Sequence, residues 1–142
     1  MKPVNILLVE DSEGDILLTT EALEESKILN KLTVIKDGKA AIDFFKGLNP
    51  AAYPDLVLLD INLPKVNGHE VLSFIKTSDA LKSIPVIILT TSSSEKDILL
   101  AYNNHVNCYI TKPINAADFI AAIIKFEDFW INIVTMPRRL IL

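Results

Sequence analysis

The sequence has 142 residues, half of them apolar and 23% charged, with a formal net charge of −4. That length suits one domain around one hydrophobic core, and the composition excludes a disordered chain. The acidic balance offers no basic surface to displace counterions from phosphates, which argues against a nucleic acid partner. The apolar segment after Met1, Lys2 and Pro3 is too short for a signal peptide or a membrane span. The single cysteine, Cys108, cannot close an internal disulfide and suits a reducing compartment, so a soluble cytoplasmic protein is expected.

Val4 to Val9 is apolar apart from Asn5 and stops abruptly at Glu10 and Asp11, which reads as a first strand. Ser12-x-x-Asp15 is a capping pattern and opens a helix from Ser12 to Ser26. Leu32 to Ile35 is a second, weaker strand, and Gly38 to Lys46 carries apolar residues at helical spacing. Asn49 to Pro54 reads as a surface loop leading into a third strand, Leu56 to Leu59, which ends in Asp60. A helix from Gly68 to Lys76 precedes a fourth strand, Val86 to Leu89, ending in Thr90 and Thr91. Ser94-x-x-Asp97 repeats the capping device before Ile98 to Asn103. The fifth strand, Cys108 to Thr111, ends in Lys112 and Pro113, and Asn115 can cap a last helix from Ala116 to about Val134. Strands apolar on both faces imply a parallel sheet covered by helices. Five such β-α units give a doubly wound α/β domain over residues 1–134, with 135–142 as a short C-terminal extension and no room for an output domain.

In an open parallel sheet, ligands bind outside the carboxyl ends of the strands. Glu10, Asp11, Asp60, Thr90, Thr91 and Lys112 all fall at that edge. Crowded carboxylates repel one another, so one pKa rises or a counter-cation is needed. Oxygen ligands without a nearby histidine or cysteine favour Mg²⁺ over zinc or copper, and Mg²⁺ commonly shares its shell with a phosphate. Asp60 can be the nucleophile of a phosphoryl transfer, with Lys112 and the Thr90 hydroxyl stabilising the transferred oxygens. Helix capping alone would explain any single acid, but not an acid on the third strand together with Lys-Pro on the fifth.

Leu8-Val9-Glu10-Asp11, Leu58-Leu59-Asp60-Ile61-Asn62-Leu63-Pro64 with Gly68, Pro85 to Thr90, and Tyr109-Ile110-Thr111-Lys112-Pro113 together resemble the receiver domain of two-component response regulators. The resemblance runs from Ile6 to about Val134 and implies a flavodoxin-like sheet of order 2-1-3-4-5 with five helices. It implies that Asp60 accepts a phosphoryl group from a histidine kinase and that Thr90 and Lys112 bind the phosphoryl oxygens. Mg²⁺ would be held by Asp11, Asp60 and the backbone carbonyl of Asn62, with Glu10 acting through a metal-bound water. Thr90 and Tyr109 would form the switch, and the Lys112–Pro113 bond would be cis. Such a protein is not an enzyme with turnover; it catalyses only its own phosphorylation and slow dephosphorylation. Glu10 stands where aspartate is frequent, and its longer side chain still reaches an outer-shell position. Phe126-Glu-Asp-Phe-Trp130 and the apolar end resemble the small stand-alone regulators of bacteriophytochrome and cyanobacterial phytochrome kinases. A phytochrome-type kinase and an unidentified downstream protein are the partners this implies.

Three rival functions weigh less. Haloacid-dehalogenase phosphatases need a second aspartate two residues after the nucleophile, and Asn62 stands there, unable to shuttle a proton. A nucleotide-binding module would need a glycine-rich phosphate loop after the first strand. An inert binding module is disfavoured by the intact Asp11, Asp60, Thr90 and Lys112 set. His69 and His105 have no carboxylate at a suggestive spacing and read as surface or cap residues. On the last helix, Asp118, Lys125 and Asn132 share a narrow polar face, and the apolar remainder spans roughly 200°, against ~100° for packing on one sheet. We read the excess as a homodimer surface that includes Ile124 and Ile131, with Phe126 and Trp130 in either the core or that surface.

Overall fold

Residues 3–25 and 29–112 are described by the computed structural model. Three runs form central strands because nearly every side chain in them is apolar: β1 (Val4–Val9), β3 (Leu56–Leu59) and β4 (Val86–Thr90) are almost entirely buried. The edge strands β2 (Asn30–Ile35) and β5 (Cys108–Thr111) are half-buried. All pair in parallel, in the order β2-β1-β3-β4-β5. Between them run α1 (Glu13–Glu25), α2 (Gly38–Lys46), α3 (Gly68–Thr77) and α4 (Glu95–Asn103). This is the flavodoxin-like arrangement expected from the sequence. The fifth helix, with Ile124, Phe126, Trp130 and Ile131, lies outside the described residues, as do Pro113 and the C-terminal extension.

The period of two along each strand sorts the core into two layers. Leu7, Val9, Val57, Leu59, Val86 and Ile88 pack with Phe45 of α2, Val71, Leu72 and Ile75 of α3, and Ala101 of α4. Ile6, Leu8, Leu56, Leu58, Ile87 and Leu89 pack on the opposite face with Ala22 and Leu23 of α1. Each Val, Leu, Ile or Phe side chain among them contributes roughly 1.5–3 kcal/mol on full burial, so a one-residue slip of any central strand would exchange the two layers and is excluded. The register sets Val9 beside Leu59, Leu59 beside Ile88, and Thr90 beside Thr111. The polar residues at the ends of these strands are thereby brought to one edge.

The elements differ from expectation mainly at their starts. β2 begins two residues early, because Asn30 and Lys31 pair with Val4 and Asn5; an edge strand tolerates polar side chains that a central strand would not. The loop before β3 contains a 3₁₀ turn over Pro50–Ala52, opened by the Asn49 side chain accepting from the Ala51 amide. Asp55 then enters β3 buried, its Oδ2 accepting the Asn5 N–H at 2.9 Å. α4 starts directly after Ser94, which caps it as expected.

Candidate functional site

Backbone ladders hold the acidic residues at the sheet edge. The Glu10 amide donates to Ile35 O and the Asp60 amide to Val9 O, each at 3.0 Å. One carboxylate oxygen from each of Glu10, Asp11 and Asp60 lies within 4.8 Å of the others. Asp11 is exposed, whereas Glu10 and Asp60 are buried. Gly68 makes this packing possible. A Cβ there would stand 2.1 Å from Asp60 O and 2.6 Å from Ile61 Cα, so the first residue of α3 must be glycine for the helix to sit against the Asp60 backbone.

Lys112, only 7% exposed, enters from the end of β5. Its Nζ donates to Glu10 Oε1 at 2.7 Å and Asp15 Oδ2 at 2.8 Å, and lies 4.0 Å from Asp60 Oδ2. The second Glu10 oxygen accepts from the Ser12 amide at 3.3 Å. Burial and the neighbouring Asp60 charge push the Glu10 carboxyl up to about 7, although Lys112 opposes them. Burial alone would lower the Lys112 pKa, but hydrogen bonds to Asp15 and Glu10 outweigh it and raise it above the ordinary lysine value. An oxygen-only donor set with excess negative charge fits a hard divalent cation such as Mg²⁺. Asp11 and Asp60 offer the freer oxygens, because both Glu10 oxygens already accept hydrogen bonds.

Beyond the acids, Thr90 ends β4 fully buried, and its Oγ1 accepts from the Ser92 amide at 3.3 Å. The Tyr109 hydroxyl donates to the Ser92 carbonyl at 2.8 Å. Ser92 Oγ donates to Asp97 Oδ2 at 2.5 Å, and His69 Nε2 lies 2.9 Å from Asp97 Oδ1. Ser92 and His69 stabilise the Asp97 carboxylate and hold its pKa below the ordinary value.

The Response regulator receiver domain family model matches residues 6–124. The chain belongs to the response regulator receiver family. It is 45% identical to Response regulator Rcp1 of Synechocystis sp. (strain ATCC 27184 / PCC 6803 / Kazusa) over 138 residues, covering 95% of this chain and 94% of that one. The phosphorylated cyanobacterial phytochrome response regulator RcpA has a similar structure, with TM-score 0.88 and 42% identity over 96% of this chain and 99% of that one. The Mn²⁺-bound form of Rcp1 gives a TM-score of 0.85 at 45% identity, with 95% and 99% covered.

This receiver domain brings Glu10, Asp11, Asp60, Lys112 and Thr90 to one edge of the sheet, with Tyr109 beside them. Asn62 is exposed and its amide donates to Asp60 Oδ1 at 3.3 Å. One expectation is corrected. His69 does have a carboxylate partner, Asp97, brought across 28 residues by the approach of α3 to α4; spacing along the chain carries no trace of such a pair. His105 is exposed, with φ 64°, in the turn after α4, where its amide donates to Tyr102 O. Asp15 and Asp97 were read only as parts of two capping patterns. Ser12 and Ser94 do accept from the amides of Asp15 and Asp97, at 3.3 and 3.1 Å. The two carboxylates, however, turn to Lys112 and to Ser92 and His69. The position of each on the first turn of a helix that begins at the acidic edge was the available signal.

Proposed function

We propose that the protein is a phosphorylation switch in which Asp60 takes a phosphoryl group from a histidine kinase of the phytochrome type. The observation that carries this reading is the meeting of Asp60 with Glu10 and Asp11 within 4.8 Å and with Lys112 Nζ at 4.0 Å. An Asp60 oxygen attacks phosphorus and forms an acyl phosphate, while the bond from phosphorus to the kinase histidine breaks and its electron pair returns to the imidazole. Mg²⁺, when bound, neutralises charge on the transferred group. Asp11, Asp60 and the Asn62 carbonyl would hold it, with Glu10 reaching it through water. Lys112 must swing from Asp15 and Glu10 to meet the phosphoryl oxygens, and Thr90 Oγ1 must leave the Ser92 amide to donate to them. Tyr109 reads out that exchange through Ser92.

The Rcp1 and RcpA likeness supports the phytochrome assignment. No helix among the described residues is long and apolar enough to cross a membrane, and we place the protein in the cytoplasm. The apolar arc of the last predicted helix supports a homodimer that hands the signal to a downstream protein. Asn62 disfavours multiple turnover, so slow loss of its own phosphate is the only hydrolysis assigned. Incubation with acetyl phosphate and Mg²⁺ before intact-mass measurement should add one phosphate to the wild type and none to Asp60→Asn. Full labelling of the variant would overturn the assignment.

A further inference from the structure

We propose that Asp97 and His69 are positioning residues that fix Ser92, and through it the Tyr109 anchor, relative to the backbone of Asp60. The connections form a circuit through α3 and α4. It starts at the Asp60 backbone, against which Gly68 packs closely enough that a Cβ would stand 2.1 Å from the Asp60 carbonyl oxygen. The Gly68 amide also donates to Ile61 O at 2.8 Å. His69, the next residue of α3, is 11% exposed at the side chain, and its Nε2 meets Asp97 Oδ1 at 2.9 Å. Its Nδ1 is buried with no hydrogen-bond partner, so among the described residues Asp97 is the polar tie of this ring. Asp97 belongs to the first turn of α4, where its amide donates to Ser94 Oγ at 3.1 Å. Its second oxygen takes the Ser92 hydroxyl at 2.5 Å. Ser92 then presents its carbonyl to the Tyr109 hydroxyl at 2.8 Å and its amide to Thr90 Oγ1 at 3.3 Å.

A two-state element transmits a change only if its ends are held by discrete contacts. Here one end is the loop carrying Asp60 and the other is the carbonyl that seats Tyr109, and the His69–Asp97–Ser92 chain is the polar link between them across α3 and α4. With Asp97 truncated, the Ser92 hydroxyl loses its shortest contact and keeps only the longer ones to Ser94, at 3.4 Å to the hydroxyl and 3.5 Å from the amide. The carbonyl holding Tyr109 and the amide holding Thr90 then become free to drift together. The chemistry at Asp60 does not require this link; the coupling to Tyr109 does.

The inference rests on the phosphorylation reading above, and the test separates the two. The protein is labelled with 3-fluorotyrosine, its three tyrosines are distinguished with Tyr109→Phe, and fluorine NMR is recorded with and without beryllofluoride and Mg²⁺. Labelling of Asp60 by acetyl phosphate and the affinity for beryllofluoride are measured alongside. Asp97→Ala and His69→Ala should still take one phosphate. Their Tyr109 resonance should no longer reach the wild-type loaded position, and beryllofluoride should bind roughly fivefold more weakly or worse. His69→Gln sets an amide donor near the Nε2 position and should recover both properties; Asp97→Asn should recover them in part. A wild-type Tyr109 response in Asp97→Ala overturns the link, as does equal damage from His69→Gln and His69→Ala, which would mark His69 as packing only. Absence of labelling in the wild type would overturn the phosphorylation reading itself, and the link with it.

Discussion

Replacing Gly68 by alanine tests whether the start of α3 sets the position of Asp60. The new Cβ would lie 2.1 Å from Asp60 O, 2.6 Å from Ile61 Cα and 2.9 Å from Asp60 C, where ordinary contact begins at 3.4 Å. Backbone must therefore move by ~1.3 Å, since no flexible side chain is available to yield. Alanine gains up to about 1 kcal/mol over glycine in a helix interior, less at a first position, whereas overpacking costs ~1–3 kcal/mol. The net expectation is a loss of about 1–2 kcal/mol in urea unfolding. The larger effect is on chemistry. The Asp60 amide is tied to Val9 O at 3.0 Å, so the displaced carbonyl turns the peptide and carries the carboxylate off its line to the phosphodonor. A misplacement near 1 Å can lower a rate by ~10²-fold, which would be read as slower uptake from acetyl phosphate. Gly47→Ala is the control, because a Cβ there meets nothing within 4 Å. Wild-type stability and wild-type labelling in Gly68→Ala would refute the reasoning.

Asp15→Asn removes one of the two close carboxylates on Lys112. It should strengthen beryllofluoride binding several-fold, or about 1 kcal/mol, given that Asp15 is one-third exposed. Weaker binding in a fluorescence or NMR titration would show that Asp15 presents the lysine rather than restrains it. Glu10 gives a pH signature to the metal-free protein. Its pKa rises from 4.5 to about 7 on folding, so the folded state binds this proton more tightly than the unfolded chain. The associated stability is full below pH 4.5, falls through neutrality, and amounts to at most about 3 kcal/mol. Melting in chelator across this range should show the decline and Glu10→Gln should flatten it; identical profiles would exclude Glu10 as the source.

The fold was legible because central parallel strands are apolar throughout. Val9, Leu59 and Leu89 therefore mark strand ends by the polar residues next in the chain, and Glu10, Asp60 and Thr90 mark the polar edge of the sheet. Lys112 was legible for the same reason. Asn30 and Lys31 hid the start of β2, since polar residues at an edge cost little and leave the alternation weak. The orientation of Asp15 and Asp97 was hidden by a genuine ambiguity: Ser-x-x-Asp spells a helix start whether or not the carboxylate reaches back to the cap. Which way it turns depends on Lys112, Ser92 and His69, all supplied by other elements. The pairing of His69 with Asp97 was illegible for a related reason, as the contact of α3 with α4 is set by the sheet order.

The two diverted carboxylates stand on opposite sides of the sheet. Asp15 belongs to α1, which packs over Ile6 and Leu58, while Asp97 belongs to α4, which packs through Ala101 over the other layer. One covalent event at the edge would thus be felt by a helix on each face. Proteins docking on the two faces would compete or cooperate without touching one another, each altering the other's affinity by the same factor. A kinase that prefers the unmodified α1 face and a target that prefers the modified α4 face would exclude each other from a single molecule, so release from the first and capture by the second would be one equilibrium.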